Sequence, residues 1–187
     1  FCVMQTYVLG LSEAVKAAAD NADDVDRNAR FPVEAIDAPK AANLLSCPLP
    51  TDLGGRASRI SALALIARAL GWARSSAGMV FGMHHTRALT LAVHGRDGEI
   101  AERTAKVAVN ESLPACATTE IATGGDIGPS SCAIPVDGTN VLLRRRAPVI
   151  SYAESANYVC ATARRGADSP PSEQVLLVCP ASDTTPA

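Results

Sequence analysis

Residues 117–127, ATTEIATGGDI, place three hydroxyls, two carboxylates and a Gly-Gly pair within eleven positions. Thr118 and Thr119 offer hydroxyl and backbone donors, and the Gly124–Gly125 pair lets backbone approach a ligand because no Cβ stands in the way. Successive amides in such a loop can also form a concavity for an anion. The same composition equally suits a plain polar connection between two halves of a chain. Glu120 and Asp126 are the carboxylates of the stretch, and hydrogen bonding to turn amides is the role expected of both.

The other reactive side chains point to structure. His84 and His85 are adjacent, and consecutive helical residues diverge by about 100°, so the pair cannot chelate one ion from a single face. No HExxH accompanies them, and partly buried histidines with backbone or hydroxyl partners are expected. His94 falls near a helix C-terminus, where a cation meets the helix dipole favourably. The six cysteines, at 2, 47, 116, 132, 160 and 179, show neither CxxC nor a zinc-type spacing and are expected as reduced, mostly buried thiols. No metal site is expected. Arg144, Arg145 and Arg146 are the one dense basic run; in a strand they alternate faces, and a solvated strand end is the reading adopted.

These residues need elements to position them. The 187 residues are 48% hydrophobic and carry 17 basic against 19 acidic side chains, which leaves no electrostatic footprint for nucleic acid or an anionic membrane. The most apolar stretch, ISALALIARALGWA, contains Ser61 and Arg68 and falls short of the ~20 residues of a membrane span. The N-terminus lacks the pattern of a secretion signal, so a soluble, cytoplasmic protein is expected.

Helical signals run from residue 11 to about 95. Ser12 is a candidate N-cap, Pro32 suits a first turn, and Asn43 suits a left-handed stop. Pro48, Pro50, Gly54 and Gly55 punctuate a long connection. Ser58 is a candidate cap for a helix with Ile60, Leu63, Ala67 and Leu70 at helical spacing. Ser76 is one for a helix whose Phe81, His85, Ala88 and Ala92 share a face before Gly95 ends it. Strands then replace helices: VDGTN at 136–140 reads as a hairpin joining SSCAIPV to NVLLRRR, followed by strands through APVISY, NYVCATARR and EQVLLVC. The expectation is an α+β chain, with an antiparallel helix bundle over 1–112 and an incomplete antiparallel β-barrel domain over 113–187. A start at Phe1 and an end within strand-rich sequence suggest a fragment, with strand edges left open.

Four segments in order resemble the acyl-CoA dehydrogenase family of flavoproteins. FPVEAIDAPKAANLLSCPLPTDLGG resembles its second helix and Pro-x-x-x-Gly-Gly loop, and LALIARALGWARSSAGMVFGMHH its next helix pair. ACATTEIATGGDI resembles its Thr-Glu-x-x-x-Gly-Ser-Asp signature, and DGTNVLLRRRAPVISYAESANYV its hairpin and flavin-contact strand. The resemblance implies an FAD enzyme that removes a proton and a hydride from adjacent carbons of an acyl-CoA thioester. It implies cofactor contacts from Thr118, Thr119, Gly124, Gly125, Val149 and Ser151, with Gly125 also near the substrate. Electron-transfer flavoprotein or oxygen would be the acceptor, and the complete protein a homo-oligomer.

The departures from the family are specific. Gly125 replaces the signature serine, Ile121 the proline and Val149 the aromatic residue, while Arg145-Arg146-Ala147 stands for Gly-x-Lys. The family's C-terminal helical domain, with its glutamate base, has no counterpart in these residues, so the catalytic base is unassigned. The 187 residues alone are expected to hold FAD poorly and not to turn over acyl-CoA. Flavin-dependent monooxygenation on the same scaffold, and a non-catalytic interaction role, are the alternatives.

Overall fold

Helix α1 (Cys2–Asp20) runs unbroken through Ser12, which is therefore an interior helical residue and not the cap expected of it. Its Ala-rich sequence has high helix propensity, and Ala14 and Ala18, one turn apart, are buried. The computed structural model describes residues 2–122, 126, 128–135 and 141–184, with side chains from residue 9 onward. The chain divides into two compact units, Phe1–Leu113 and Pro114–Ala187.

In the first unit, α2 (Ala22–Arg27) and α3 (Val33–Ala41) follow. Pro32 sits at the N-cap of α3, and Asn43 takes φ 52° just beyond its end, both as the sequence suggests. Helices α4 (Ile60–Ala73) and α5 (Ser75–His94) form an antiparallel hairpin across the single extended residue Arg74. Two glycines allow their close approach: a Cβ on Gly78 would lie 2.6 Å from the Gly71 Cα. The buried face of α5 includes Phe81, His85, Ala88 and Ala92, and Gly95 is its C-cap. On α4 the buried residues are Leu63, Ile66 and Leu70, whereas Ile60 is 73% exposed. Ser58 and Ser76 do not cap; Arg59 and Arg74 hold those positions without side-chain bonds.

Helix α6 (Gly98–Val109) was not expected, although Ile100, Thr104, Val107 and Ala108 fall at helical spacing and the last three are buried.

The connection over 44–58 is anchored on both sides. Glu111 accepts hydrogen bonds from the amides of Leu45 (2.7 Å) and Ser46 (3.0 Å). His84 Nε2 donates to the Leu45 carbonyl at 2.9 Å, and His85 Nδ1 to that of Phe81 at 2.7 Å. Burial, with His85 beside it, pushes the His84 pKa down to about 3, so this ring is neutral at ordinary pH. The histidines thus have the backbone partners expected. Further on, Gly54 adopts φ 89°, and a Cβ on Gly55 would meet the Leu49 carbonyl oxygen at 2.0 Å, which accounts for the pair.

The second unit holds a three-stranded sheet of β1 (Pro114–Ala117), β2 (Tyr158–Arg164) and β3 (Gln174–Pro180), in that order. Strand β2 pairs antiparallel with β3, Tyr158 opposite Pro180 and Arg164 opposite Gln174. Strand β1, however, pairs parallel with β2, Pro114 beside Tyr158 and Ala117 beside Ala161. The all-antiparallel arrangement is thus corrected to a mixed partial sheet, and the segregated α+β class stands. The reason is connectivity: residues 118–157 separate the two strands, long enough for a crossover that returns the chain in the same direction.

Residues 141–150 form no regular strand, although their exposure alternates, with Leu143 and Arg145 inward and Leu142, Arg144 and Arg146 outward. Residues 132–134 meet β2 at one bridge, Ala133 to Arg164. The hairpin expected at 136–140 lies outside the described residues. Leu143, Ile150 and Ala181 pack on Ala117, Val159 and Ala161. Of the cysteines with described side chains, Cys47 and Cys160 are buried, and Cys116, Cys132 and Cys179 are half-buried.

Candidate functional site

Two hydrogen bonds tie the segment 146–152 alongside 114–121. The Ile121 amide donates to the Arg146 carbonyl at 3.0 Å, and the Tyr152 hydroxyl donates to the Pro114 carbonyl at 3.0 Å. The later segment meets the earlier one in reverse order, and extended chain advances about 3.3 Å per residue. The two segments are thus tied near both ends into one strip, and Ile150 packs against the cluster of Ala117, Val159 and Ala161. Val149 and Ser151 lie in the later of these two segments, and Thr118 and Thr119 in the earlier. Tyr152, at φ 48°, turns the chain away toward a short 3-10 turn, Ala153–Ser155, and then β2.

The strip joins two textures. Thr118, Thr119 and Ser151 are half-buried hydroxyl residues, while Val149 is 70% exposed. Thr118 Oγ1 is 3.2 Å from Cys116 Sγ, one pleat back on β1. Gly124 and Gly125 lie outside the described residues.

Beneath the strip is a buried polar cluster. Arg145 Nη1 lies 2.9 Å from Glu120 Oε1, with the two side chains 6% and 2% exposed. The same guanidinium donates to the carbonyls of Thr118 and Thr162. Glu120 also accepts from Ser130 Oγ at 2.5 Å, from the Ser131 amide at 2.9 Å and from the Ser131 hydroxyl. Burial pushes the Glu120 carboxyl upward, but the Ser130 and Ser131 hydrogen bonds and the Arg145 charge outweigh it and hold the group below the usual carboxylate range. Asp126 accepts from the Gly128 amide at 2.9 Å.

Both carboxylates therefore receive turn amides, as expected. The arginine run is corrected: Arg145 is the buried partner of Glu120, and only Arg144 and Arg146 point outward. The alternation of the run carried this signal, since the middle arginine shares a face with Leu143. The serines at 130 and 131 gave none.

The donor set fits a flavin. Neutral hydroxyls suit the hydrogen-bonding edge of a planar ring, and the exposed valine offers an apolar surface for its face. Among the described residues no cluster of three or more His, Cys, Asp or Glu could hold a metal ion.

The helical unit has its own concavity, a groove of about 520 Å³ between α4 and α5. Leu63, Ala67, Phe81, Leu89 and Val93 line much of it, with His85 and Thr86 among its few polar residues.

The family pattern described as acyl-CoA dehydrogenase, N-terminal domain, matches residues 12–111. No protein of curated function matches the sequence. A probable acyl-CoA dehydrogenase from Mycobacterium abscessus shares the fold with a TM-score of 0.78 at 17% identity, over 96% of this chain and 48% of that one. Methanesulfinate monooxygenase from Pseudomonas fluorescens gives 0.75 at 21% identity, over 91% of this chain and 43% of its own. FMN-bound TdsC from a Paenibacillus species gives 0.73 at 16% identity, over 92% and 44%. The chain spans less than half the length of each of these structures.

Proposed function

Because the chain belongs to the acyl-CoA dehydrogenase family, we propose that it carries the ring-facing part of an FAD-dependent oxidoreductase that dehydrogenates an acyl-CoA thioester between its α and β carbons. In this reading residues 1–112 are the N-terminal helical domain and 113–187 the middle β-domain. The observation that carries the proposal is the pair of hydrogen bonds, Ile121 to Arg146 and Tyr152 to Pro114, that ties the segment holding Val149 and Ser151 to the segment holding Thr118 and Thr119.

When bound, FAD supplies the hydride acceptor. Thr118, Thr119 and Ser151 donate to its hydrogen-bonding edge, and Val149 covers part of its face. Gly124 and Gly125 are assigned the close backbone approach, Gly125 also toward the substrate. The α4–α5 groove suits an aliphatic acyl chain, since Leu63, Ala67, Phe81, Leu89 and Val93 line it, although His85, Thr86, Thr90 and His94 also face it. The buried carboxylates Glu111 and Glu120 are each engaged by amides or a guanidinium, and neither is placed as a general base. That role is assigned to the family's C-terminal domain.

Electron-transfer flavoprotein or oxygen is the proposed acceptor, and a homo-oligomer the proposed assembly of the complete protein. Among the described residues no helix is long and apolar enough to cross a membrane, and the cytoplasm is the proposed location. A second reading, flavin-dependent monooxygenation, is favoured by the shared fold with methanesulfinate monooxygenase.

The test follows flavin absorbance of the complete protein under anaerobic conditions while acyl-CoA thioesters are added. Bleaching supports dehydrogenation. Hydroxylated product and peroxide in air, without anaerobic bleaching, support the monooxygenase, and a protein that retains no flavin rejects both.

A further inference from the structure

We propose that Arg145 is the positioning residue for the flavin-facing threonines, acting through the Thr118 carbonyl and the Glu120 side chain; this rests on the flavin reading above. Its guanidinium reaches three parts of the second unit at once. It donates to the Thr118 carbonyl, donates to the Thr162 carbonyl on β2, and pairs with Glu120. Glu120 in turn is held by Ser130 and Ser131.

Thr119 lies between the two tied residues. Its neighbour on one side is fixed by the backbone and its neighbour on the other by the side chain, so the peptide planes that carry the amides of Thr119 and Glu120 have little freedom. The next amide, Ile121, is tied to the Arg146 carbonyl, adjacent to Arg145 in the chain. Two adjacent residues of the 141–150 segment thus hold residues 118–121 at both ends. Such a clamp sets where hydroxyl and amide donors point before any ligand arrives, which lowers the ordering cost of binding.

The clamp needs arginine. A planar fork can serve two carbonyls and a carboxylate simultaneously, whereas a lysine ammonium keeps the charge but cannot span all three. Charge neutralisation of Glu120 and positioning of Thr118 are therefore separable by Arg145→Lys.

The experiment compares the complete protein with its Arg145→Lys and Arg144→Lys variants by amide hydrogen exchange without flavin, followed by FAD titration read by the visible spectrum. The inference expects Arg145→Lys to speed exchange at 118–121 while β3 and helix α5 keep wild-type protection. It expects FAD affinity to fall about tenfold, the worth of one to two hydrogen bonds, with the flavin bands moving toward those of free flavin. Arg144→Lys, on the outward side, leaves both readouts unchanged. If Arg145→Lys does not fold, Glu120→Gln, which releases the ion pair from its other end, is expected to give the same local signature.

Unaltered exchange at 118–121 would overturn the inference. So would a uniform loss of protection across the sheet with an unshifted flavin spectrum, the mark of a merely structural arginine. A complete wild-type protein that takes up no FAD sinks the flavin reading, and exchange at 118–121 then still decides whether Arg145 positions the stretch.

Discussion

Arg145 Nη1 stands 2.9 Å from Glu120 Oε1, and neither side chain has more than 6% exposure. Removing one member of such a pair strands the other charge in a poorly solvated place, which costs about 3–5 kcal/mol, whereas replacing both with apolar residues of similar size recovers much of that. Glu120→Ala is therefore expected to destabilise the sheet unit by that amount, and Glu120→Met with Arg145→Met by much less. Chemical denaturation followed by amide protection in β2 measures both.

The two buried glutamates respond to pH in opposite directions. Glu120 is held below its usual pKa of 4.5, so its contribution is present above that value and lost as pH falls through the lower folded value. Glu111 is pushed above 4.5, chiefly by burial, so its contribution is present below 4.5 and lost as pH rises through the higher folded value. The melting-temperature loss caused by Glu120→Gln is expected to grow as pH rises from the acid side, and that caused by Glu111→Gln to shrink. Parallel pH series on the two variants check the signs.

Gly78→Ala tests the α4–α5 hairpin. The added methyl would sit 2.6 Å from the Gly71 Cα, a backbone atom that cannot swing aside, and overpacking of this kind costs about 1–3 kcal/mol. Thermal melting followed by circular dichroism at 222 nm is expected to show the loss; an unchanged midpoint would mean that the helices can separate freely.

On the flavin strip, Thr119→Ala is expected to weaken FAD binding by about 0.5–1.5 kcal/mol, roughly two- to tenfold. Val149→Trp is expected to strengthen it, because the valine is exposed and an aromatic ring can stack on flavin for about 0.5–1.5 kcal/mol. Fluorescence titration of the two variants provides the comparison.

What the sequence showed was mostly local. Asn43 ends a helical segment in the left-handed region it tolerates, Gly95 follows α5 where a Cβ would meet Ile100, and the Phe81–Ala92 face follows from spacing, so these were readable. The start of α1 was not, because Ser12 has cap chemistry but sits inside a helix that begins ten residues earlier. Ser58 and Ser76 failed as caps for related reasons: the Ser58 amide donates to the Cys47 carbonyl, and the Ser76 hydroxyl accepts from Arg74. The parallel pairing of β1 with β2 depends on how a forty-residue connection crosses, which no local pattern encodes. Three successive arginines look alike in composition, and only the tertiary placement of Glu120 selects the middle one. The segments holding Thr118–Thr119 and Val149–Ser151 were proposed together from family resemblance, and the hydrogen bonds at Ile121 and Tyr152 tie those two segments to each other.

The most direct test of the flavin strip is amide hydrogen exchange of the complete protein with and without saturating FAD. The account predicts added protection at residues 117–121 and 147–152, with helices α1, α2 and α3 unchanged. Protection confined to other segments, or none at a flavin concentration that saturates the absorbance signal, would contradict it.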